Sequence, residues 1–239
     1  MFCCFMPALR GQLVAGLMFC FGAVSIIGAI IVHEGALSST SQEANLYLDT
    51  LLSDLLPSAV RALNLDPAPV SSTNVTVPST GFTNHDLKVV LTNIRLHGLT
   101  SSLRRRGDCS EPKWKGASLT TSCYLSLDGL RLSYDASARG FDWFGSRVKF
   151  AFQAVVSKAN AYIDVASAFG GHATLQTLRI SDLKFKVTQN QGINLNPLRQ
   201  RTLEGHIHQI SSLSLVKVFQ GKFKEAFNDA LAMAPFPGA

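Results

Sequence analysis

The fold is decided by one stretch, residues 87–99, which reads LKVVLTNIRLHGL. Up to Thr92, Leu87, Val89 and Leu91 occupy alternate positions, so they share one face of an extended strand. Ile94 and Leu96 keep the alternation but fall on the opposite face. A strand that exchanges its apolar face in this way contains one additional residue, which makes a β-bulge or a sharp bend.

The same exchange of faces occurs in three later segments, at about 117–138, 146–168 and 172–189. The first segment extends over about 86–103. All four segments are much longer than an ordinary strand of about 5–6 residues. Each is therefore either a hairpin or one long strand that bends.

Three of the exchange points share a pattern, in which a pair of small or polar residues precedes an apolar, a basic and an apolar residue. They read TNIRL at 92–96, DGLRL at 128–132 and SDLKF at 181–185. A two-residue hairpin turn remains an alternative and fits best at Asp128-Gly129. Asn93-Ile94 and Asp182-Leu183 would make poor turns because bulky residues resist positive φ. The pattern favours long, bent strands in a highly curved antiparallel sheet.

A helical pattern precedes these strands. Leucines recur at spacings of three and four over residues 42–64, which predicts an amphipathic helix that begins at the N-cap Ser41. A kink before Pro57 is compatible with this pattern. Residues 66–82 are rich in Pro, Ser and Thr, and we expect them to form a linker or a long loop.

A second helical pattern follows the strands, beginning at Asn196 and Pro197 and running to Met233. Such a helix would be about 50 Å long. Residues 213–218 alternate instead, and a short strand is the alternative there. The whole pattern predicts an α+β fold, in which a long, highly curved antiparallel sheet is wrapped around a long C-terminal helix, with an N-terminal amphipathic helix.

A targeting segment comes before this domain. Residues 13–32 carry no charge and follow Arg10, which is typical of a secretory signal. We expect residues 1–38 to be a cleaved signal peptide and residues 39–239 to form one secreted, extracellular domain. The uncharged stretch is also long enough to span a bilayer, so an uncleaved anchor that tethers the domain to a membrane is the alternative.

Two cysteines remain after the targeting segment, Cys109 and Cys123. An even number in a secreted chain predicts that they form a disulfide. Asn74 begins the sequon Asn-Val-Thr within the expected loop 66–82, so Asn74 is a candidate glycosylation site on an exposed loop.

Composition and motifs argue against several functions. The net charge of +6 comes with only 16% charged residues, which is too sparse for the basic stripe of a nucleic-acid binder. No Gly-x-Ser-x-Gly elbow, P-loop or His-Glu-x-x-His motif is present, so we expect neither an enzyme nor a cofactor. His206 and His208 would point to different faces of a helix and lack a third ligand, so no metal site is predicted.

The layout of one apolar helix, four long bent strands and a long C-terminal helix resembles the tubular lipid-binding superfamily. The resemblance is carried by residues 87–99 and by LSLDGLRLSY at 125–134, and it extends over most of residues 42–233. The length is similar to that of the single-module arthropod members, such as juvenile-hormone-binding proteins and group seven mite allergens. The resemblance implies a sheet rolled around a helix and an apolar tunnel that takes a lipid or another hydrophobic small molecule.

The residues agree with a tunnel, because a sheet curved around one helix encloses more space than that helix fills, and an apolar cavity accepts apolar ligands. The candidate tunnel residues share apolar side chains on the predicted inner faces. They are Leu51, Leu55, Leu91, Leu125, Leu127, Phe150, Phe152, Phe219, Phe223 and Phe227. The predicted function is thus that of a secreted, non-enzymatic carrier of a hydrophobic molecule.

The rival function is surface recognition through the loop after the first long segment. Arg104, Arg105 and Arg106 are candidate contacts to an anionic membrane or microbial lipid, since each basic residue near such a surface contributes about 1 kcal/mol. The same loop contains Arg106-Gly107-Asp108, a tripeptide that an adhesion receptor could recognise.

Overall fold

The structure is a computed structural model, and it describes residues 40–81, 85–140, 144–190, 193 and 195–238. These residues belong to the unit Ser38–Ala239. The predicted signal peptide, residues 1–38, lies outside the described residues, so its cleavage stays a prediction.

The N-terminal helix consists of three segments, which are α1 (Ser41–Thr50), a π-helical segment (Leu51–Leu55) and α2 (Leu56–Ala62). Thr40, and not Ser41, is the N-cap, and it forms a reciprocal capping box with Glu43. The π-helical segment ends just before Pro57, which has no backbone N–H to continue the regular hydrogen-bond pattern. The predicted helix is therefore confirmed, and the disturbance at the proline takes the form of a π-helical segment.

The described strands form one nine-stranded sheet. Their bounds are β1 Ala68–Val70, β2 Thr73–Val77, β3 Leu87–His97, β4 Arg104–Arg105, β5 Lys113–Lys115, β6 Ser118–Ser126, β7 Arg131–Arg139, β8 Arg147–Ala168 and β9 Ala173–Gln189. The order is β1-β3-β7-β8-β6-β4, with β2 beside β3, β5 beside β6 and β9 beside β8. All of these pairs are antiparallel.

Strands β6 and β7 are the two halves of one bent strand. Both pair with β8, β7 along residues 147–155 and β6 along residues 160–168. Backbone hydrogen bonds continue across the bend, from Gly129 N to Val156 O at 2.9 Å and from Val156 N to Leu130 O at 2.8 Å. The hairpin alternative at Asp128-Gly129 is therefore wrong, because a hairpin would pair β6 with β7.

The three patterned exchange points all contain a residue with positive φ. These are Asn93 at 49°, Gly129 at 89° and Asp182 at 54°. Asn and Asp are the non-glycine residues that tolerate this region best. The β8–β9 register shifts between Val156 and Asn160, so the bends at Gly129 and Asp182 lie on the two sides of the same part of β8. These two bends form a crease across the sheet, and Asn93 makes a separate bulge in β3, opposite Asp135 and Ser133.

The expectation of a linker or long loop at 66–82 is wrong. Residues in this range form β1 and β2, which pair with the two ends of β3. Val75 and Val77 are buried and alternate with exposed residues, so β2 has one apolar face. Pro69 is tolerated because β1 lies at the edge of the sheet, where a missing N–H costs little.

The C-terminal helix is confirmed in place but is not continuous. It forms α3 (Pro197–Gln220) and α4 (Lys222–Met233), separated by Gly221, whose ψ of −120° is not helical. Asn196 caps α3 by accepting a hydrogen bond from Arg199 N at 2.9 Å. Residues 213–218 are helical, so the strand alternative for them is wrong. Their alternation is overridden because Ser214, Leu215 and Phe219 are buried at helical spacing.

One apolar core joins the inner face of the sheet to all of the helices. Apolar residues from β3, β6, β7, β8 and β9 contribute to it, together with leucines of α1 and α2 and phenylalanines of α3 and α4. The α+β class, the curved antiparallel sheet, and the N-terminal and C-terminal helices are thus as predicted.

The left-handed backbone at Asp182 gives a test of the crease. Asp182→Val is expected to lower the free energy of unfolding by about 2 kcal/mol more than Asp182→Gly, because a β-branched residue is strained at positive φ. Both variants lose the hydrogen bond from Asn160 Nδ2, so their difference isolates the backbone. Urea unfolding of the two variants measures it, and equal losses would show that the bend does not depend on this conformation.

Candidate functional site

The structure brings the candidate tunnel residues together in one core. Nine of the ten are buried, and Leu55 is partly buried and packs against the same core. Phe219 at the end of α3 and Phe223 at the start of α4 contact each other with ring centroids 4.3 Å apart. Phe150 and Phe152 contact each other on β8 at 4.9 Å. These side chains contact one another, and a ligand role for them stays a prediction.

Tyr134 and Arg199 make hydrogen bonds in this core, whereas Tyr47 Oη and Arg199 Nε are buried with no hydrogen-bond partner among the described residues. Tyr134 on β7 and Ser211 on α3 share a hydrogen bond of 2.6 Å. Burial raises the pKa of Tyr134 to about 12, with a smaller opposing effect from Ser211. Arg199 is also buried and donates to the carbonyl oxygens of His85 and Gly140. These pairs stabilise the contact of α3 with the sheet.

An apolar groove opens to the surface between the β1–β2 edge and α3. It consists of two adjoining clefts of about 290 Å³ and about 240 Å³, both lined by Val70, Ser71, Ser214 and Lys217. Together the clefts reach the ~300–1,000 Å³ typical of small-molecule sites. The apolar side chains of the groove are those of Leu65, Ala68, Pro69, Val70, Ile210, Leu213 and Val218.

Two lysines line this groove: Lys217, which lines both clefts, and Lys222, which lines only the larger one. Both are exposed. In an uninterrupted helix, residues five apart point about 140° away from each other. The break at Gly221 changes this direction, so that both lysines line the same cleft. The groove thus combines apolar side chains with positive charge along the larger cleft, which suits an amphipathic molecule with a negative group.

The sequence alone did not identify this groove. Its wall is β1 and the start of β2, which lie in the range expected to be a loop. The alternation of Val75 and Val77 was the available signal for β2. The position of Lys222 beside the groove depends on where the C-terminal helix breaks, and no spacing of residues in the sequence predicts the position of the break.

The three candidate arginines are placed differently from one another. Arg104 and Arg105 form β4, not a loop, and Arg106 follows it. Arg105 makes a two-pronged ion pair with Asp49 of α1, with Nη2–Oδ2 at 2.8 Å and Nε–Oδ1 at 2.9 Å. The hydrogen bond and charge of Asp49 raise the pKa of Arg105, against the opposing effect of burial. This side chain is therefore engaged within the protein, whereas Arg104 and Arg106 are exposed.

The segment around Asp108 is held to α1 by Asn45. Asn45 Nδ2 donates to Asp108 Oδ1 at 2.9 Å, and Asn45 Oδ1 accepts from Cys109 N at 2.8 Å. Arg106 donates to the side-chain oxygen of Asn160. Asp108 keeps 82% of its side chain exposed. Recognition of Arg106-Gly107-Asp108 by a receptor stays a prediction.

The predicted disulfide is present, with Cys109 Sγ and Cys123 Sγ 2.06 Å apart. Both cysteines are buried and belong to the apolar core. Asn74 is exposed as expected, but it lies in β2 and not in a loop. Its glycosylation stays a prediction.

Metal-site and membrane features can be stated for the part of the chain that the structure describes. No group of three or more His, Cys, Asp or Glu side chains suited to a metal was found there. His206 and His208 lie on α3, and the ring of His208 contacts Phe185 at 6.1 Å. None of the described helices combines the length and hydropathy needed to cross a membrane.

Comparisons with known proteins were made on the sequence and on the fold. No family model matches the chain. A salivary anticoagulant protein of Ixodes scapularis is 22% identical over 217 residues, which cover 90% of this chain and 98% of that protein.

Two solved structures are similar at 14% identity. The crystal structure of a lipopolysaccharide binding protein gives a TM-score of 0.45 and covers 80% of this chain. This chain spans only 37% of that larger protein. Takeout 1 of Epiphyas postvittana gives a TM-score of 0.41, with 79% of this chain and 92% of that chain covered. Both TM-scores are below 0.5. In the order and length of its own strands and helices the chain resembles the tubular lipid-binding superfamily.

Removal of the disulfide tests its contribution to stability. The variant with Cys109→Ser and Cys123→Ser is expected to lose about 3 kcal/mol of unfolding free energy, because the bridge restricts the unfolded chain. Chemical denaturation of the variant and of the oxidised protein measures the loss. A loss below about 1 kcal/mol would mean that Asn45 and the sheet hold this segment without the bridge.

Proposed function

We propose that this protein is a secreted, non-enzymatic carrier of a lipid or another hydrophobic small molecule, and that the groove between β1–β2 and α3 is where the ligand enters. The observation that carries the proposal is the groove itself, an open apolar surface bounded by polar residues at its rim. Exposed apolar surface of this kind costs free energy in water, and a protein that keeps it gains by covering it with a ligand.

The interior supports the same proposal. The candidate tunnel residues lie in the core that the groove borders, and Val70 and Val218 belong to both the groove lining and the side chains packed on that core. An acyl chain that enters between β1 and α3 would therefore continue against apolar side chains. The salivary relative agrees with an extracellular site of action, which the residues 1–38 would provide as a signal peptide.

The polar end of the ligand is proposed to be anionic. Lys217 and Lys222 line the cleft, and among the described residues neither makes an ion pair. A carboxylate or phosphate at this end would gain charge-assisted hydrogen bonds from them. Surface recognition through Arg104 and Arg106 is the alternative function, and it would leave the groove without a ligand.

The first test is native mass spectrometry of the protein secreted from eukaryotic cells, followed by organic extraction and lipid identification. A bound molecule of defined mass would support the carrier function and identify the ligand class. A ligand-free protein that takes up nothing from a mixture of fatty acids, sterols and phospholipids would refute it.

Filling the groove should reduce ligand uptake. Ser71→Trp places a large side chain where the two clefts meet, and we expect it to weaken binding of a dansyl-labelled fatty acid by about tenfold, since overfilling a site costs about 1–3 kcal/mol. Ser79→Trp, at an exposed position beyond β2, is the matched control and should bind normally. Fluorescence titration measures both, and equal affinities would place the entrance elsewhere.

The lysines should set the preference for a negative group. Lys217→Gln with Lys222→Gln is expected to weaken binding of a fatty acid about tenfold and leave a fatty alcohol of equal length unaffected, because charge-assisted hydrogen bonds contribute about 1.5–3 kcal/mol. The control variant, Lys113→Gln with Lys115→Gln, removes the same charge from the exposed strand β5 and should bind the acid normally. An equal loss for acid and alcohol would contradict an anionic end.

A further inference from the structure

The outer face of the sheet, opposite the helices, carries basic residues in register. On the β3–β7–β8 part of this face, Lys88 pairs with Arg139 and Arg139 pairs with Arg147. All three side chains are exposed. Neighbouring strands are about 4.8 Å apart, so three cations lie in a row about 10 Å wide.

A second basic group lies further along the same face. Arg131 pairs with His97 on β3 and with Val155 on β8, and Val155 pairs with Lys186 on β9. Arg95 precedes His97 by two residues and faces the same side. Arg131 is eight residues from Arg139 on one strand, which places the two groups about 27 Å apart. We call these two groups the basic face: Lys88, Arg139 and Arg147, with Arg95, Arg131 and Lys186.

No member of the basic face makes an ion pair among the described residues, although the carboxylate of Asp66 lines the same cleft as Arg131 and His97. Among the described residues, ion pairs within 4.0 Å are found only for Arg105, with Asp49 and Asp108. The nearby carboxylates of Asp135 and Asp86 accept hydrogen bonds from Asn93 and from the backbone of Ser79. Like charges directly opposite each other destabilise a sheet. A row of three such cations therefore lowers stability unless an external anion binds there.

The convex shape of the basic face favours a linear polyanion over a flat bilayer as its ligand. The helices occupy the inside of the curve, so the basic face is on its outside, and a flat bilayer would touch only part of it. Val90 is the one large apolar side chain described as exposed on the β3–β7–β8 part. Phe144, 90% exposed, lies at the end of the β7–β8 hairpin, so a membrane is the competing occupant.

We propose that the basic face binds a linear sulfated polysaccharide, which contacts both basic groups along the strands. This site is separate from the groove, because no residue of the basic face lines it. A flexible polyanion can follow a convex surface and bridge a separation of about 27 Å. Asp135 is an exposed carboxylate midway between the two groups on β7, where it accepts a hydrogen bond from Asn93. The sulfates would pair with the cations on either side of it, and the released counterions would drive binding.

The test uses heparin as the probe and the full secreted protein. Lys88→Gln, Arg139→Gln and Arg147→Gln together are expected to weaken heparin binding about 100-fold, at about fivefold for each cation removed. The slope of log affinity against log salt concentration should become shallower by about 2–3. The control variant, Lys113→Gln, Lys115→Gln and Arg201→Gln, removes the same charge at exposed positions outside the basic face.

Two further measurements separate the outcomes. The triple variant on the basic face should keep or raise the melting temperature, because it removes repulsion. Desulfated heparin should not bind. The proposal fails if heparin does not bind, if the test and control variants lose equally, or if phosphatidylserine vesicles bind through this face while heparin does not. That last outcome would assign the face to a membrane.

Discussion

The pairing of β8 with strands on both of its edges is the constraint on which the rest of the structure depends. Its 22 residues pair with β6 and β7 on one side and with β9 on the other. Strands of this length twist strongly, and a flat sheet of them would be unfavourable. The positive φ values at Gly129 and Asp182 let the neighbouring strands bend where β8 bends. The inner face therefore stays apolar along the whole length, and the helices have one surface to cover.

The bends and the helices could be predicted because their signals are local. An exchange of apolar parity is visible within a few residues, as in residues 92–96, and a leucine spacing of three and four is visible within two turns. The edge strands β1 and β2 were missed because Pro69 and the surrounding serines are typical of loops, and only the unpaired edge of β3 draws them into the sheet. Intrinsic propensity at such short segments is overridden by tertiary pairing.

The candidate site was harder to predict because its parts are distant in the sequence. The groove combines Val70 with Lys217, and the ion pair of Asp49 with Arg105 joins residues that are 56 positions apart. No sequence motif predicts either of these contacts. At the break, Phe219 and Phe223 pack against each other and the core, a contact that the spacing of phenylalanines does not reveal. The candidate tunnel residues lie in the core and their ligand role stays a prediction, whereas the surface groove follows only from the fold.

The edge position of β1 and β2 has a dynamic consequence. Each of these strands pairs with β3 alone, and β1 has only three residues. Local opening costs least where few hydrogen bonds and contacts must be broken, so their backbone amides exchange with solvent ahead of those in β7 and β8. The wall of the groove formed by β1 and β2 therefore opens locally more easily than the other wall, which is formed by α3 and is anchored by buried contacts. We therefore expect the width of this opening to vary more readily than the shape of the creased sheet behind it.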